Sequence, residues 1–267
     1  MSRACRRLLS CLLLLPMLAW GQCSRVLKVP VAPIGLSVTV EGDVVGGVYP
    51  DLLRGLGEGC RFEFSTVPRA RLELMFESGQ ADLLVPASRT ARRDELGLFV
   101  PLVRSRPALV SFSEAKDRPP VRSLDELLRR RELRVVLVRG FDYGEAYQVM
   151  QRELGAQGRL MLAVDALEAA RMLNLGMGDL TVMAPSIVAG AMHNDARYKP
   201  LLAKLRVEPM NELPWGDAGV YLSKSLPAPD RQLLRELLER SVRSGDVWKT
   251  FQRYYPANIL ADGLKQR

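Results

Sequence analysis

The chain has 267 residues, with 38 Lys and Arg against 30 Asp and Glu, a formal charge of +8, four cysteines and one histidine. That length fits one large domain or two lobes of ordinary size. The basic excess is interleaved with acidic residues and forms no stripe with aromatic spacing, which argues against a nucleic-acid partner. A single histidine leaves little from which to build a His-based triad or metal site.

The chain begins MSRACRRLLSCLLLLPMLAWGQCS. Arg3, Arg6 and Arg7 form a basic n-region, residues 8–18 an apolar core, and Ala19 and Gly21 supply small side chains at the −3 and −1 positions. We read residues 1–21 as a cleaved signal peptide and the mature protein as periplasmic. The apolar stretch falls short of the roughly twenty residues that a membrane span requires. Cleavage leaves 35 basic and 30 acidic residues, a charge of +5. Cys5 and Cys11 leave with the signal. Cys23 and Cys60 stay, each just ahead of a predicted strand, at 26–31 and 61–64. If those strands are parallel neighbours the two sulfurs meet, and an exported protein can keep the disulfide. The other reading of Cys23, lipidation, has a poor approach in Trp20-Gly21-Gln22.

After the first strand, residues 35–48 hold Gly42, Gly46 and Gly47 among β-branched residues, a hairpin pattern. Pro50 opens a helix. Residues 68–77 read as an amphipathic helix with Leu72, Met75 and Phe76 on one face and Arg69 and Glu73 elsewhere; Gly79 ends it. Residues 82–86 are a buried strand, and 91–96 a short helix behind the N-cap candidates Ser88 and Thr90. Arg92 and Arg93 sit in its first turn, where the helix dipole disfavours cations. Hydroxyls, free N–H groups and a guanidinium at a strand's carboxyl end suit an anion.

An extended run at 103–112 follows, then a polar stretch at 113–122 and a capping box, Ser123-Leu124-Asp125-Glu126. Strands at 134–138, 160–164 and 179–183 alternate with helices starting near 142 and 166, the pattern of a parallel sheet. Residues 207–223 turn extended again, and helices at 229–243 and 244–255 close the chain. Residues 78–88 (SGQADLLVPAS) and 175–186 (LGMGDLTVMAPS) echo each other. The echo suggests two similar lobes facing across a cleft, with the extended crossings near 103–112 and 207–222 as hinge.

Gly47-Val48-Tyr49-Pro50-Asp51-Leu52, the 82–99 stretch with its Ser-x-Thr-x-x-Arg, Gly176-x-x-Asp179 and Ser244-Gly245-Asp246-Val247-Trp248 occur in an order that resembles family 3 of the periplasmic solute-binding proteins, the type that serves amino-acid ABC transporters. The resemblance implies an α/β, two-lobed type II periplasmic-binding-protein fold, two Rossmann-like lobes joined by a two-strand hinge. Lobe 1 would span 22–108 plus 216–267 and lobe 2 would span 109–215. It implies a monomer without cofactor that closes on a small carboxylate-bearing, amino-acid-like ligand. The partner would be the membrane permease of an ABC importer or a membrane sensor. By the same resemblance Arg93 clamps the carboxylate with Ser88 and Thr90, and Arg71 is a second cleft arginine. The turn Gly140-Phe141-Asp142-Tyr143-Gly144 offers N–H groups from lobe 2, and Ser186 follows its last strand.

Two departures bear on the ligand. Ala184-Pro185-Ser186 stands where many relatives carry an ammonium-binding Asp, and Pro33-Ile34-Gly35-Leu36 stands where an aromatic often stacks. No HExxH, GxSxG, CxxC or P-loop is present, so no enzyme, metal or nucleotide reading has a motif behind it. The competing class, periplasmic cyclohexadienyl dehydratases on the same scaffold, would need Glu145 or Asp142 as general acid.

Overall fold

Leu27–Val31 (β1) buries Leu27, Val29 and Val31 completely. These three side chains share one face of the strand, which therefore packs on the core, while Lys28 on the other face is exposed. The structure, a computed structural model, describes residues 22–57, 59–112 and 118–267; the signal peptide expected over 1–21 lies outside them. From β1 the chain makes a hairpin, Thr39–Glu41 (β2) with Val44–Gly46 (β3), then the helix Val48–Arg54 (α1). It returns as Phe62–Thr66 (β4), parallel to β1 with Leu27 opposite Phe62. That register brings Cys23 to Cys60 in a disulfide, with Cα atoms 4.9 Å apart.

Arg69–Glu77 (α2), Leu83–Ser88 (β5), the single turn Ala91–Asp94 (α3) and Gly97–Ser105 (β6) complete the first pass. Ala108–Phe112 (β7), Leu124–Arg129 (α4), Val135–Val138 (β8), Glu145–Ala156 (α5), Leu160–Ala163 (β9), Ala166–Asn174 (α6) and Leu180–Met183 (β10) build the second unit. Pro185–His193 (α7), a 3₁₀ turn at Lys199–Lys204 and Leu205–Glu208 (β11) finish it. Gly216–Ser223 (β12), Ala228–Arg243 (α8), Asp246–Tyr254 (α9), Ala257–Gly263 (α10) and Leu264–Gln266 (β13) return to the first.

The strands fall into two groups. One sheet runs β13-β6-β12-β5, and its β5 lies beside the β1-β4 pair through the bond from Asp82 N–H to Lys28 O; the other runs β11-β7-β10-β8-β9. The chain passes between the groups at residues 106–107 and 209–215, and the two passages lie side by side, with Ser105 opposite Gly216. The fold is therefore two-lobed. We propose lobe boundaries near the expected 108/109 and at 215/216, the first set at 107/108 so that Ala108 stays with β7.

Three expectations need correction. The extended run at 103–112 is two strands, broken at Arg106-Pro107 where proline has no N–H to donate. The sheets are not all parallel: β13-β6-β12-β5 is antiparallel throughout, and in the other sheet β7 lies antiparallel to β10 and β11 beside the parallel β10-β8-β9. The segment after the strand at 179–183, given no helix above, forms α7: Pro185 sits in its first turn, where a missing N–H costs nothing.

The internal echo has a physical basis. Asp82 accepts from the backbone N–H of Lys28 at 2.7 Å and from both Arg25 Nη atoms at 2.6 Å. Asp179 accepts from the backbone N–H of Arg134 at 2.8 Å and from its Nε at 3.2 Å. In each unit a carboxylate at the start of a strand ties down the start of the neighbouring strand. Burial raises the Asp82 pKa, but the Arg25 guanidinium and the Lys28 N–H outweigh it and hold it below the usual carboxylate value. A depressed folded pKa stabilises above the unfolded value near 4 and loses that contribution as pH falls through the folded one. Asp82→Asn is expected to cost about 1–2 kcal/mol at pH 7 and to weaken the loss of stability below pH 4, read by urea melts at pH 7 and pH 3. Equal pH dependence in both proteins would remove Asp82 as the source.

Candidate functional site

Helix α2 starts directly after Pro68, and its first turn carries no acidic residue to oppose the dipole. Arg69 nonetheless turns inward there and is only 8% exposed. Its Nη2 donates to Pro86 O at 3.2 Å, and its Cζ lies 5.7 Å from the centroid of the Phe141 ring, across the cleft. Its Nε and Nη1 are buried without a partner. Burial first, and then repulsion from Arg93, push its pKa down to about 10, so it stays cationic at neutral pH. Glu73 offsets only part of this penalty, and a buried cation with two donor nitrogens idle is costly unless an anion meets it.

Arg69 borders a cavity of about 60 Å³ between the lobes. Lobe 1 contributes Ser37, Ser88 and Arg93, and lobe 2 contributes Asp142, Tyr143 and Ser186. The cavity lies at the carboxyl ends of β5, β8 and β10, where open α/β sheets leave a crevice. Tyr143 Oη accepts from Ala184 N–H at 3.4 Å, which leaves its own O–H to donate, and burial pushes its pKa up to about 12.

Arg93, the sequence's choice for the clamp, lies on this cavity with its guanidinium partly engaged. Only 2% exposed, it donates Nε and Nη2 to Glu73 and Nη1 to Ser88 O at 2.9 Å. Three of the fork's five N–H groups are engaged, which leaves one on each Nη. Thr90 is buried and caps α3, its Oγ1 accepting from Arg93 N–H at 3.3 Å; it does not border the cavity. Arg71 is exposed on the outer face of α2, not in the cleft. Gly140 does not border the cavity either: its φ is +76°, and a Cβ there would sit 3.1 Å from Ala70 N and Cα. Its bareness lets the lobe 2 turn rest on the start of α2. Helix α5 begins at Glu145, and Gly144 N–H donates to Asp142 Oδ1 at 2.8 Å rather than into the cavity. Ser88, Arg93, Asp142, Tyr143 and Ser186 all border the cavity, and so does Arg69, which the expected set lacked.

The sequence reading missed Arg69 because a polar residue on an amphipathic helix reads as solvated. The signal was present: the argument against cations in a first turn, applied to Arg92 and Arg93, holds equally for Arg69. Glu73→Gln should cost about 2 kcal/mol, because it leaves Arg93 charged and buried beside Arg69. A urea melt at pH 7 reads the loss, and an unchanged midpoint would mean that the pair contributes nothing. Among the described residues no cluster of three or more His, Cys, Asp or Glu could hold a metal, and His193 ends α7 half-buried, outside this cavity.

No protein-family model and no curated protein matches the chain. Solved structures do. EhuB in complex with hydroxyectoine superposes with a TM-score of 0.68 at 16% identity, over 89% of this chain and 91% of that one. The amino acid ABC transporter substrate-binding protein AbpA from Streptococcus pneumoniae, bound to L-arginine, gives 0.66 at 18%, over 85% and 94%. A histidine kinase sensor domain with similarity to periplasmic binding proteins gives 0.68 at 19%, over 86% and 96%. The chain has the two-lobed fold of the periplasmic solute-binding proteins, including those of amino-acid ABC transporters.

Proposed function

We propose that the protein is a periplasmic solute-binding protein that captures a small anionic solute by closing two lobes around it. The observation that carries this reading is Arg69, a buried guanidinium with two unpaired N–H donors at a cavity between the lobes. The solute's carboxylate or other oxyanion head meets Arg69 on lobe 1, and Tyr143 and Ser186 of lobe 2 complete the cage when the lobes come together. The closed shape is what a membrane partner recognises, the permease of an ABC importer or a sensor. Binding rather than catalysis is favoured by Asp142. Its carboxylate already accepts from Gly144 N–H and from Gln148 Nε2 at 3.2 Å, and Glu145 is exposed, so neither is placed as the acid that a dehydratase needs.

Closure has its own geometry. Helix α7 of lobe 2 lies against lobe 1, and a Cβ at Gly190 would sit 2.7 Å from Leu36 N and 3.1 Å from the Tyr255 ring. Alanine suits a helix interior better than glycine by up to about 1 kcal/mol, so Gly190→Ala should leave lobe 2 intact while pushing the closed contact apart. Only contacts made in the closed state favour closure. We expect a larger radius of gyration by X-ray scattering without ligand, and roughly tenfold weaker solute binding. An unchanged radius and affinity would sink the closure reading. The function itself is tested by thermal shift against a broad series of anions: amino acids, dicarboxylates, opines and short acids. A bound ligand at a hundred times its Kd adds about 2.7 kcal/mol. Silence from the whole series, or a shift that survives Arg69→Met, would reject it.

A further inference from the structure

The cleft holds a second cavity next to the first. It measures about 160 Å³ and lies at the carboxyl ends of β1, β4, β8 and β9, walled by Pro33 and Val67 of lobe 1 and by Val138, Val164 and Ala166 of lobe 2. Arg69 and Phe141 border both cavities, and with the Arg69 Cζ 5.7 Å from the Phe141 ring centroid they form the common wall. We propose that the solute is an anion carrying an apolar group of about the size of a benzene ring, its anionic head on Arg69 and its apolar group in this outer cavity. The inference rests on the reading above that Arg69 anchors the anion.

The donors place the head. Arg69 Nη2 is turned to Pro86 O, and Pro86 borders the inner cavity but not the outer one. Nε and Nη1 are buried without a partner, so an oxyanion set between the two cavities has donors waiting for it. The outer walls decide what the head is attached to. Apart from Arg69, the only charged side chain there is Asp165, whose carboxylate caps α6 by accepting from Glu168 N–H at 2.8 Å. The rest of the lining is apolar. Val164 leaves a large apolar side chain 59% exposed at the rim, and a bound apolar group would take that surface out of water.

Volume sets the size of the group. An engineered apolar cavity of about 150 Å³ stays dry and binds benzene, and the outer cavity matches it at about 160 Å³. A six-membered ring there lies against Phe141, where an edge-to-face contact adds to the area buried. Both lobes supply walls, so the apolar group is enclosed only when the lobes are together, and its burial favours the closed state. The class is defined by the apolar group and includes acids with and without an α-amino group.

The test is isothermal titration of the purified protein with matched pairs: phenylpyruvate and pyruvate, phenylacetate and acetate, phenylalanine and alanine. Lysine and 6-aminohexanoate, whose far ammonium would meet Asp165, complete the set. We expect the phenyl member of at least one pair to bind at least tenfold tighter than its partner and than either ammonium-tailed acid. Val67→Phe, which fills the outer cavity with a ring of its own, should weaken that phenyl acid at least tenfold and leave its small partner unchanged. Val164→Asp, at the exposed rim where the fold is not at stake, should discriminate in the same way. Arg69→Met should weaken the phenyl acid at least tenfold while its thermal melt stays cooperative. Equal binding within every pair, or tighter binding of an ammonium-tailed acid, lost in either case in Arg69→Met, would overturn the apolar group and leave the solute-binding reading standing. A phenyl acid that both cavity variants bind unchanged would do the same. Silence from all eight would also overturn the class, and the broad anion series then decides the function separately. A phenyl acid that Arg69→Met binds as well as wild type would overturn both.

Discussion

Arg69→Met is expected to make the ligand-free protein more stable, by about 1–3 kcal/mol at pH 7, while it removes solute binding. The direction follows from the sign of the pKa shift. A basic group pushed down to about 10 on folding destabilises the folded state wherever it is charged. The penalty is full below pH 10 and is relieved only as pH rises through about 10 towards the group's ordinary value. At pH 7 the wild type carries all of it, and the methionine variant none. The thioether keeps most of the stem's packing, and the lost attraction to Phe141, worth about 0.5–1 kcal/mol, offsets part of the gain. Replacing buried charge by a well-packed apolar side chain often stabilises by this order. Chemical melts of both proteins at pH 7 read the difference. A variant less stable than wild type would mean that the guanidinium holds the fold together through Pro86 and Phe141, and the binding role would lose its energetic argument. A stable variant that no longer answers to anions is the signature of a residue kept for its ligand.

Replacing Cys23 and Cys60 together by serine is expected to cost the most stability of any change considered, about 4 kcal/mol. The two residues are 37 apart in sequence, and opening a loop of that length returns roughly this much chain entropy to the unfolded state. The structural cost is confined to one edge. Ser24 N–H and Oγ donate to Asp230 at 2.9 and 2.6 Å, and Arg25 pairs with Asp82, so two further ties hold the segment leading into β1. The native sheets should therefore survive, with the loss appearing as a lower midpoint and not as a changed circular dichroism spectrum. Melts with and without reductant give the same comparison in the wild type. A shift below about 1 kcal/mol would mean that the unfolded chain is already compact around this pair.

Most elements were legible because their signals are local. Alternation of apolar strands with amphipathic helices, glycines at helix ends and the Asp of each Gly-x-x-Asp-Leu read directly, since each depends on neighbours within a turn or two. Residues 264–266 did not read as β13, because Leu-Lys-Gln has little strand preference and becomes a strand only by pairing with the free edge of β6. The places of Ser88, Asp142, Tyr143 and Ser186 were legible too, since each follows a predicted strand on the cleft side.

What the sequence determined by itself is the two-unit α/β architecture, the Cys23–Cys60 pairing and the cleft at the strand ends, because all three follow from periodicity, order and register. What the tertiary structure decided is which arginine is buried at the cleft with two donor nitrogens idle. Arg69, Arg71, Arg92 and Arg93 look alike along the chain. Only the packing of α2 against β5 and the lobe 2 turn sets Glu73 on Arg93, leaves Arg71 in water and buries Arg69 with idle donors. A charge's partner is fixed by distance in space, and sequence spacing does not encode that distance.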